Sequence, residues 1–402
     1  MLRKVAVVEV PQWRGSGSRT AERLREGARV VADLVDTATV RVVGEAPHRV
    51  RVAVEDGSSG LAAARLPPTT EDSDPVTTAA PAQAAGEDES LSVAAAPLPP
   101  TIEDNGPATT ATRARATVED DSPAATAAPA QAAAADGSSG VAAAPLPPRT
   151  EDNGPAAAAA WVRAAVGDGS LGVVAARVRA AVEGVGDGVV VVAVGGDCGV
   201  ELEPVSAARR RYGDRLVVVW FDAHGDLNTP ESSPSGAYHG MVLRALTGEG
   251  PEGLAAEQPL EPRRIVLAGV RDLDPPEAAF VTQAGIRWVT MAETGTSQAL
   301  LAAIEAAGGP DAAVYVHIDL DVLDPEVFLS VGCPTPGGMH PERLLSLVTA
   351  IGGRFEVAGL GLMEYEAGDP GDEPDGDREV LAELVGGVVA AVAGHPGRTA
   401  PR

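Results

Sequence analysis

Five apolar segments in the second half of this chain each run directly into residues that can bind a cation, and this narrows the folds open to it. The segments are Val189–Val194, Leu216–Phe221, Ile265–Val270, Val314–Ile318 and Val357–Met363. They are followed by Gly195-Gly196-Asp197-Cys198, Asp222-Ala223-His224-Gly225-Asp226, Arg271-Asp272-Leu273-Asp274, Asp319-Leu320-Asp321 and Glu364. Continuous apolar runs, rather than alternating ones, predict strands covered on both faces. Helical spacing between most of them predicts an α/β fold with a parallel, doubly wound sheet. Ligands of such sheets bind beyond the carboxyl ends of the strands. Val5–Val10 adds a strand, Thr20–Leu34 and Val162–Val182 read as helices, and Val40–Val43 and Val50–Val54 read as short strands.

Carboxylates gathered at one sheet edge repel each other and resist ionisation. Bound divalent cations remove that penalty. In Asp222-x-His224-x-Asp226, alternate residues of an extended segment point the same way, so three ligands can reach one pocket. Asp319-x-Asp321 does the same from another strand. One carboxylate from each can bridge two ions about 3.5–4 Å apart. Oxygen-rich ligation with a histidine suits Mn²⁺ better than a structural zinc. Either motif alone fits a solvated loop; both together, with acids after three other strands, point to a metal site.

The 402 residues carry a net charge of −26, which argues against nucleic-acid or anionic-membrane partners. Two cysteines, Cys198 and Cys333, are too few for a disulfide framework. The N-terminal apolar run is broken by Glu9 and Pro11, so no secretory signal is read there and a cytoplasmic location is expected. Residues 56–157 have a different character. LPPTTEDSDP at 66–75 recurs as LPPTIEDNGP at 98–107 and LPPRTEDNGP at 146–155. These units lack an apolar face to stack, so the expectation is a low-complexity, disordered insertion. It would split one domain into residues 1–55 and 158–395, with a short tail at 396–402.

The motifs resemble the arginase (ureohydrolase) family. The matching stretches are VVAVGGDC (191–198), WFDAHGDLNTPESSPSGAYHG (220–240), LAGVRDLDP (267–275), VHIDLDVLDP (316–325), PTPGGM (334–339) and GLGLMEY (359–365). The resemblance implies a three-layer αβα fold and two Mn²⁺ ions per chain. Asp222 and Asp319 would bridge the ions, His224 and Asp321 would complete one site, and Asp226 with Cys198 the other. A metal-bridging hydroxide would attack the guanidinium carbon of a linear guanidino compound, above all L-arginine, giving ornithine and urea. Asp226 and Glu364 count among the catalytic groups, and His239 matches the proton-shuttling histidine. Glu364 would hold the guanidinium, and Asn228, Ser235 and Asp274 the α-carboxylate and α-amino groups. A trimer or hexamer is implied by the resemblance alone.

Two positions depart from the family pattern. Cys198 stands where a histidine ligand is usual, which moves metal preference towards Zn²⁺, Fe²⁺ or Co²⁺. Ala237 stands where arginases carry an asparagine, and losing one hydrogen bond to a charged group costs roughly 1.5–3 kcal/mol. These departures leave open another guanidino acid or agmatine as substrate, or a non-catalytic member with an impaired metal site. His317 reads as a core residue, Cys333 as a small packing residue, and His48, His340 and His395 as surface or loop positions.

Overall fold

A computed structural model describes residues 2–12, 14–16, 18, 20–54, 170–368 and 376–394, all within one compact unit. The repetitive segment, residues 162–169 of the expected second helix, the C-terminal tail and His395 lie outside the described residues.

In chain order the elements are β1 (Lys4–Val10), α1 (Leu24–Val43), β2 (His48–Arg51), α2 (Ser170–Glu183), β3 (Val189–Gly195), α3 (Leu202–Tyr212), β4 (Leu216–Phe221), α4 (Val242–Leu246), β5 (Ile265–Ala268), α5 (Pro275–Ala284), β6 (Arg287–Val289), α6 (Ser297–Gly308), β7 (Ala313–Asp319), α7 (Pro341–Arg354), β8 (Glu356–Met363) and α8 (Asp377–Ala393). The strands form one eight-stranded sheet in the order β2-β1-β3-β8-β7-β4-β5-β6. Every pairing is parallel, so the expected mainly parallel sheet is wholly so.

Helices cover both faces, giving the three layers. On β4, Val217, Val219 and Phe221 face a core completed by α1, α6, α7 and α8. Leu216, Val218 and Trp220 face a second core completed by α2, α3, α4 and α5. This two-sided burial is why the strands read as unbroken apolar runs rather than alternating ones.

The expected strand at Val40–Val43 is instead the last turn of α1. Its β-branched residues suit a strand, but Val42 and Val43 pack on the first core and Gly44, at φ 85°, closes the helix in the left-handed region. The short strand expected at Val50–Val54 begins earlier, at His48, where it pairs with β1. The three-residue edge strand β6 carried too short a pattern to be read. His48 is exposed on β2, and exposed His340 precedes α7.

Candidate metal centre and catalytic cleft

The carboxyl ends of β3, β4, β7 and β8 lie side by side at the middle of the sheet, which brings Cys198, Asp222, Asp319 and Glu364 together. Among the described residues, three groups of possible ligand atoms each fall within 4.8 Å of one another. They are Cys198, Asp222 and His317; Cys198, Asp319 and Glu364; and Asp222, His224 and Asp321.

The side chains converge for a different reason than extended alternation. Asp319 ends β7 and Asp321 already lies in a tight 3₁₀ turn. The Asp321 N–H donates to Asp319 Oδ1 at 2.8 Å, and the His224 N–H donates to Asp222 Oδ1 at 2.6 Å. Each strand-ending aspartate thus folds the following loop back on itself through its own carboxylate, an Asx-type turn. Trp220 Nε1 donates to Asp222 Oδ2 at 3.0 Å, and the Ala223 N–H donates to Asp321 Oδ1 at 3.0 Å. Asp226 and Glu364 both occupy the left-handed region, at φ 51° and 64°. That conformation is rare for residues other than glycine and is held here by the surroundings. Glu364 is gripped through its N–H on Gly196 O (2.8 Å), while its Oε1 accepts from the Cys198 N–H (3.1 Å).

The electrostatics follow from burial. Burial, then the charge of Asp321, pushes Asp222 up. Burial and the Asp222 charge push Asp226 well up, and burial with Asp321 and Asp222 does the same to Asp319. The Cys198 thiol is raised by burial and by Asp319 beside it, which accepts from Sγ at 3.0 Å. For Asp321, burial is outweighed by its contact with His224, 3.0 Å away, which holds it below the usual range. His224 is opposed by burial but raised well above its ordinary value by Asp222 and Asp321. His239 is likewise raised against burial by Glu364, whose Oε1 lies 3.0 Å from Nδ1.

Above this floor opens a cleft of about 790 Å³, its open mouth included, lined by His224, Asp226, Asn228, Ser235, His239, Asp274, Asp319, Asp321 and Glu364. It therefore collects every expected substrate-binding and catalytic residue. Cys198 and Asp222 are buried beneath it. Asn228 Nδ2 donates to Asp274 Oδ2 at 2.8 Å, joining two of the three residues expected at the α-groups. Ala237 is buried and lends its N–H to Ser235 Oγ at 3.2 Å. Cys333, expected only to fill space, is half-buried and also lines the cleft.

The donor set fits divalent cations: carboxylates, two imidazoles and one thiol, all buried but the half-buried His224, with most of the acids pushed up. Asp226 Oδ2 is buried with no hydrogen-bond partner among the described residues, as a ligand atom awaiting a cation would be.

The sequence reading overlooked a supporting layer. Asp197 accepts from the Gly15 and Gly199 N–H groups at 2.8 and 2.9 Å. Glu277 accepts from the Leu227 N–H at 2.8 Å and closes a capping box with Asp274 at the start of α5. The second of these was legible, because Asp274-Pro-Pro-Glu277 has the spacing of a capping box.

A sequence model of the arginase family matches residues 148–374, more than half of the chain. This protein belongs to the arginase family. The arginase of Staphylococcus aureus (strain MRSA252) is 40% identical to it over 154 residues, 37% of this chain and 51% of that protein. The chain thus spans about half the length of the first such curated relatives. The N(omega)-hydroxy-L-arginine amidinohydrolase of Streptomyces lavendulae is 33% identical over 211 residues, 52% of this chain and 73% of that protein. The crystal structure of arginase from Bacillus subtilis superposes with a TM-score of 0.58, covering 99% of this chain and 100% of its own at 17% identity, a likeness of fold. Among the described residues, no helix is long and apolar enough to cross a membrane.

Proposed function

We propose that this chain hydrolyses a C–N bond of a guanidino amino acid, with L-arginine, giving ornithine and urea, as the reference substrate. The observation that carries this reading is the convergence of Cys198, Asp222, His224, Asp319 and Asp321 at the floor of a cleft that also holds His239 and Glu364. Asp222 and Asp319 would be shared between two cations, His224 and Asp321 would serve one, and Cys198 and Asp226 the other. Mn²⁺ is the reference ion, with Zn²⁺, Fe²⁺ or Co²⁺ favoured by the sulfur. When bound, the ions supply Lewis acidity, worth several kcal/mol of transition-state charge stabilisation.

The chain's own residues do the rest. Glu364, its carboxylate aimed by its backbone grip, pairs with the guanidinium in a charge-assisted contact. His239, against Glu364 at the cleft wall, delivers a proton to the departing amine. Asp274 and Asn228 face the amino-acid end of the cleft with Ser235, and Asp274 supplies the charge that an α-ammonium requires. Replacing Asp274 with asparagine is expected to raise KM for arginine about tenfold or more with kcat little changed, because it removes binding common to the ground and transition states. Steady-state kinetics over a wide arginine range check this.

N(omega)-hydroxy-L-arginine is a second substrate, favoured by a specific observation. The relative that bears its name matches over 73% of its own length, against 51% for the staphylococcal arginase. The test is metal analysis of the purified protein with product assays on both compounds. Two ions per chain with urea or hydroxyurea released support the reading. A folded protein that binds no divalent ion and turns over neither compound would instead mark a non-catalytic member of the family.

Replacing Cys198 with histidine is expected to raise Mn²⁺ affinity and arginine turnover, each by about tenfold or more, since it exchanges a soft sulfur for a harder nitrogen donor. Calorimetric titration with Mn²⁺ and a urea assay read the two effects. No change in either would mean that the side chain at 198 does not touch the metal.

A further inference from the structure

Beneath the cleft floor, buried polar side chains that the proposed reaction leaves idle form a row ending at Cys198. Tyr315 and His317 alternate along β7 on the same face as Asp319. The Tyr315 hydroxyl donates to Glu201 Oε2 at 2.6 Å, and Glu201 Oε1 accepts from His317 Nδ1 at 3.1 Å. The imidazole stacks on Trp220, with ring centroids 3.4 Å apart and planes 12° from parallel. Its other nitrogen, Nε2, faces Cys198 Sγ at 3.7 Å and Asp222 Oδ2 at 4.0 Å. Glu201 and His317 are both fully buried.

Space for this row is built into β8. A methyl group at Gly361 would fall 1.4 Å from Glu201 Oε1, and one at Gly359 would fall 2.6 Å from the Tyr315 ring. Packing alone would be served by apolar side chains here, without the cost of burying polar groups. The row therefore calls for a function, and it leads to the sulfur at the metal centre, closer to Nε2 than Asp222 is.

We propose that Glu201 and His317 form a positioning pair for Cys198, holding its sulfur where a metal ion needs it. Glu201 fixes the imidazole's orientation, Trp220 fixes its plane, and Nε2 steadies the sulfur from below. A cysteine can then occupy the place that the family resemblance gives to a histidine. This rests on Cys198 being a metal ligand. Partners of metal ligands, when removed, commonly cost 10–100-fold in metal affinity.

The test uses the full-length metal-free protein titrated with Co²⁺, following affinity and the sulfur-to-cobalt charge-transfer absorption. His317→Gln and Glu201→Gln are expected to weaken Co²⁺ binding about 10–100-fold and to shift or broaden that absorption. In a Cys198→His background, His317→Gln is expected to have little effect, since the coupled partner is gone. Equal losses in both backgrounds, or an unchanged absorption and affinity in His317→Gln, would overturn the proposal while leaving the proposed hydrolase activity intact. A native chain with no sulfur-to-cobalt absorption would overturn it at its premise. Should His317→Gln fail to fold, Tyr315→Phe removes only the hydroxyl that anchors Glu201. A smaller loss in the same direction is expected, and no shift at all would count against the pair.

Discussion

Loading with a divalent cation is expected to weaken the pH dependence of this protein's stability. Without metal, burial raises Asp197 from 3.8 to about 7 and Glu277 from 4.5 to about 7, and it also raises Asp222, Asp226 and Asp319. Carboxyls raised on folding hold protons that the unfolded chain has released. Their contribution is therefore complete below about pH 4 and is lost as pH rises towards 7. Each unit is worth 1.36 kcal/mol, so Asp197 and Glu277 contribute on the order of 3–4 kcal/mol each. His224 and His239, also raised, add a loss in the same direction above about pH 6.5. Asp321 and the surface acids Glu26, Glu257, Glu293 and Asp324, held low, oppose the trend, and they do so only below about pH 4.5. Cations bind the deprotonated ligands, so their affinity grows with pH. Metal at 1,000 times Kd adds about 4 kcal/mol. Urea unfolding at pH 5 and pH 7.5, with chelator and with Mn²⁺, should show stability falling with pH in both cases, less steeply with the metal, because Asp197 and Glu277 stand outside its proposed ligands. A metal-free protein equally stable at both pH values would contradict the burial of these acids.

One methyl group at Gly196 is expected to destabilise the fold and disable the site. A Cβ there would lie 1.4 Å from the carbonyl oxygen of Gln12 and 2.5 Å from its carbon. Neither backbone can yield easily. The Asp197 N–H donates to that same oxygen at 2.9 Å, and the Gly196 N–H donates to Val10 O at 3.1 Å, continuing seven residues of β1–β3 register. Overpacking of this kind costs 1–3 kcal/mol and sometimes more. With these bonds at stake, Gly196→Ala is expected to cost about 3 kcal/mol or more, a fall in Tm of about 6–12 °C. Glu364 should suffer too, since its N–H hangs on Gly196 O. Released from that grip, a residue at φ 64° relaxes and its carboxylate leaves the cleft wall. Gly353, in α7 with nothing within 4 Å, is the control: alanine there should gain up to about 1 kcal/mol. Calorimetric melts of the two variants compare them, and a Gly196→Ala protein as stable as the parent would refute the argument.

The strand-ending motifs were legible because each is local. Apolar runs declare strands buried on both faces, and the acids after them need only the topology of a parallel sheet to converge. What escaped depends on register between distant strands. Nothing adjacent to Glu201 in sequence announces that His317 and Tyr315 will meet it across the sheet, or that Gly361 will make room. The left-handed turns at Asp226 and Glu364 were likewise hidden, because their strain is sustained by contacts from elsewhere. The DxH and DxD side chains lie together, but not through extended alternation. Aspartates at strand ends fold their loops back through their own carboxylates, and DxH and DxD spacing records that turn.

The parallel pairing of β1 with β3 matches Lys4 to Val189, a separation of 185 positions (189 − 4). Closing so wide a loop adds little to the equilibrium cost, about 0.6 kcal/mol for each doubling of length. Its weight falls on kinetics, because high contact order slows folding. On a ribosome adding about 5–20 residues per second, the apolar β1 waits roughly 10–40 s for its partner to be made. Until then β1 has only the four-residue β2 to pair with, and its other edge stays open.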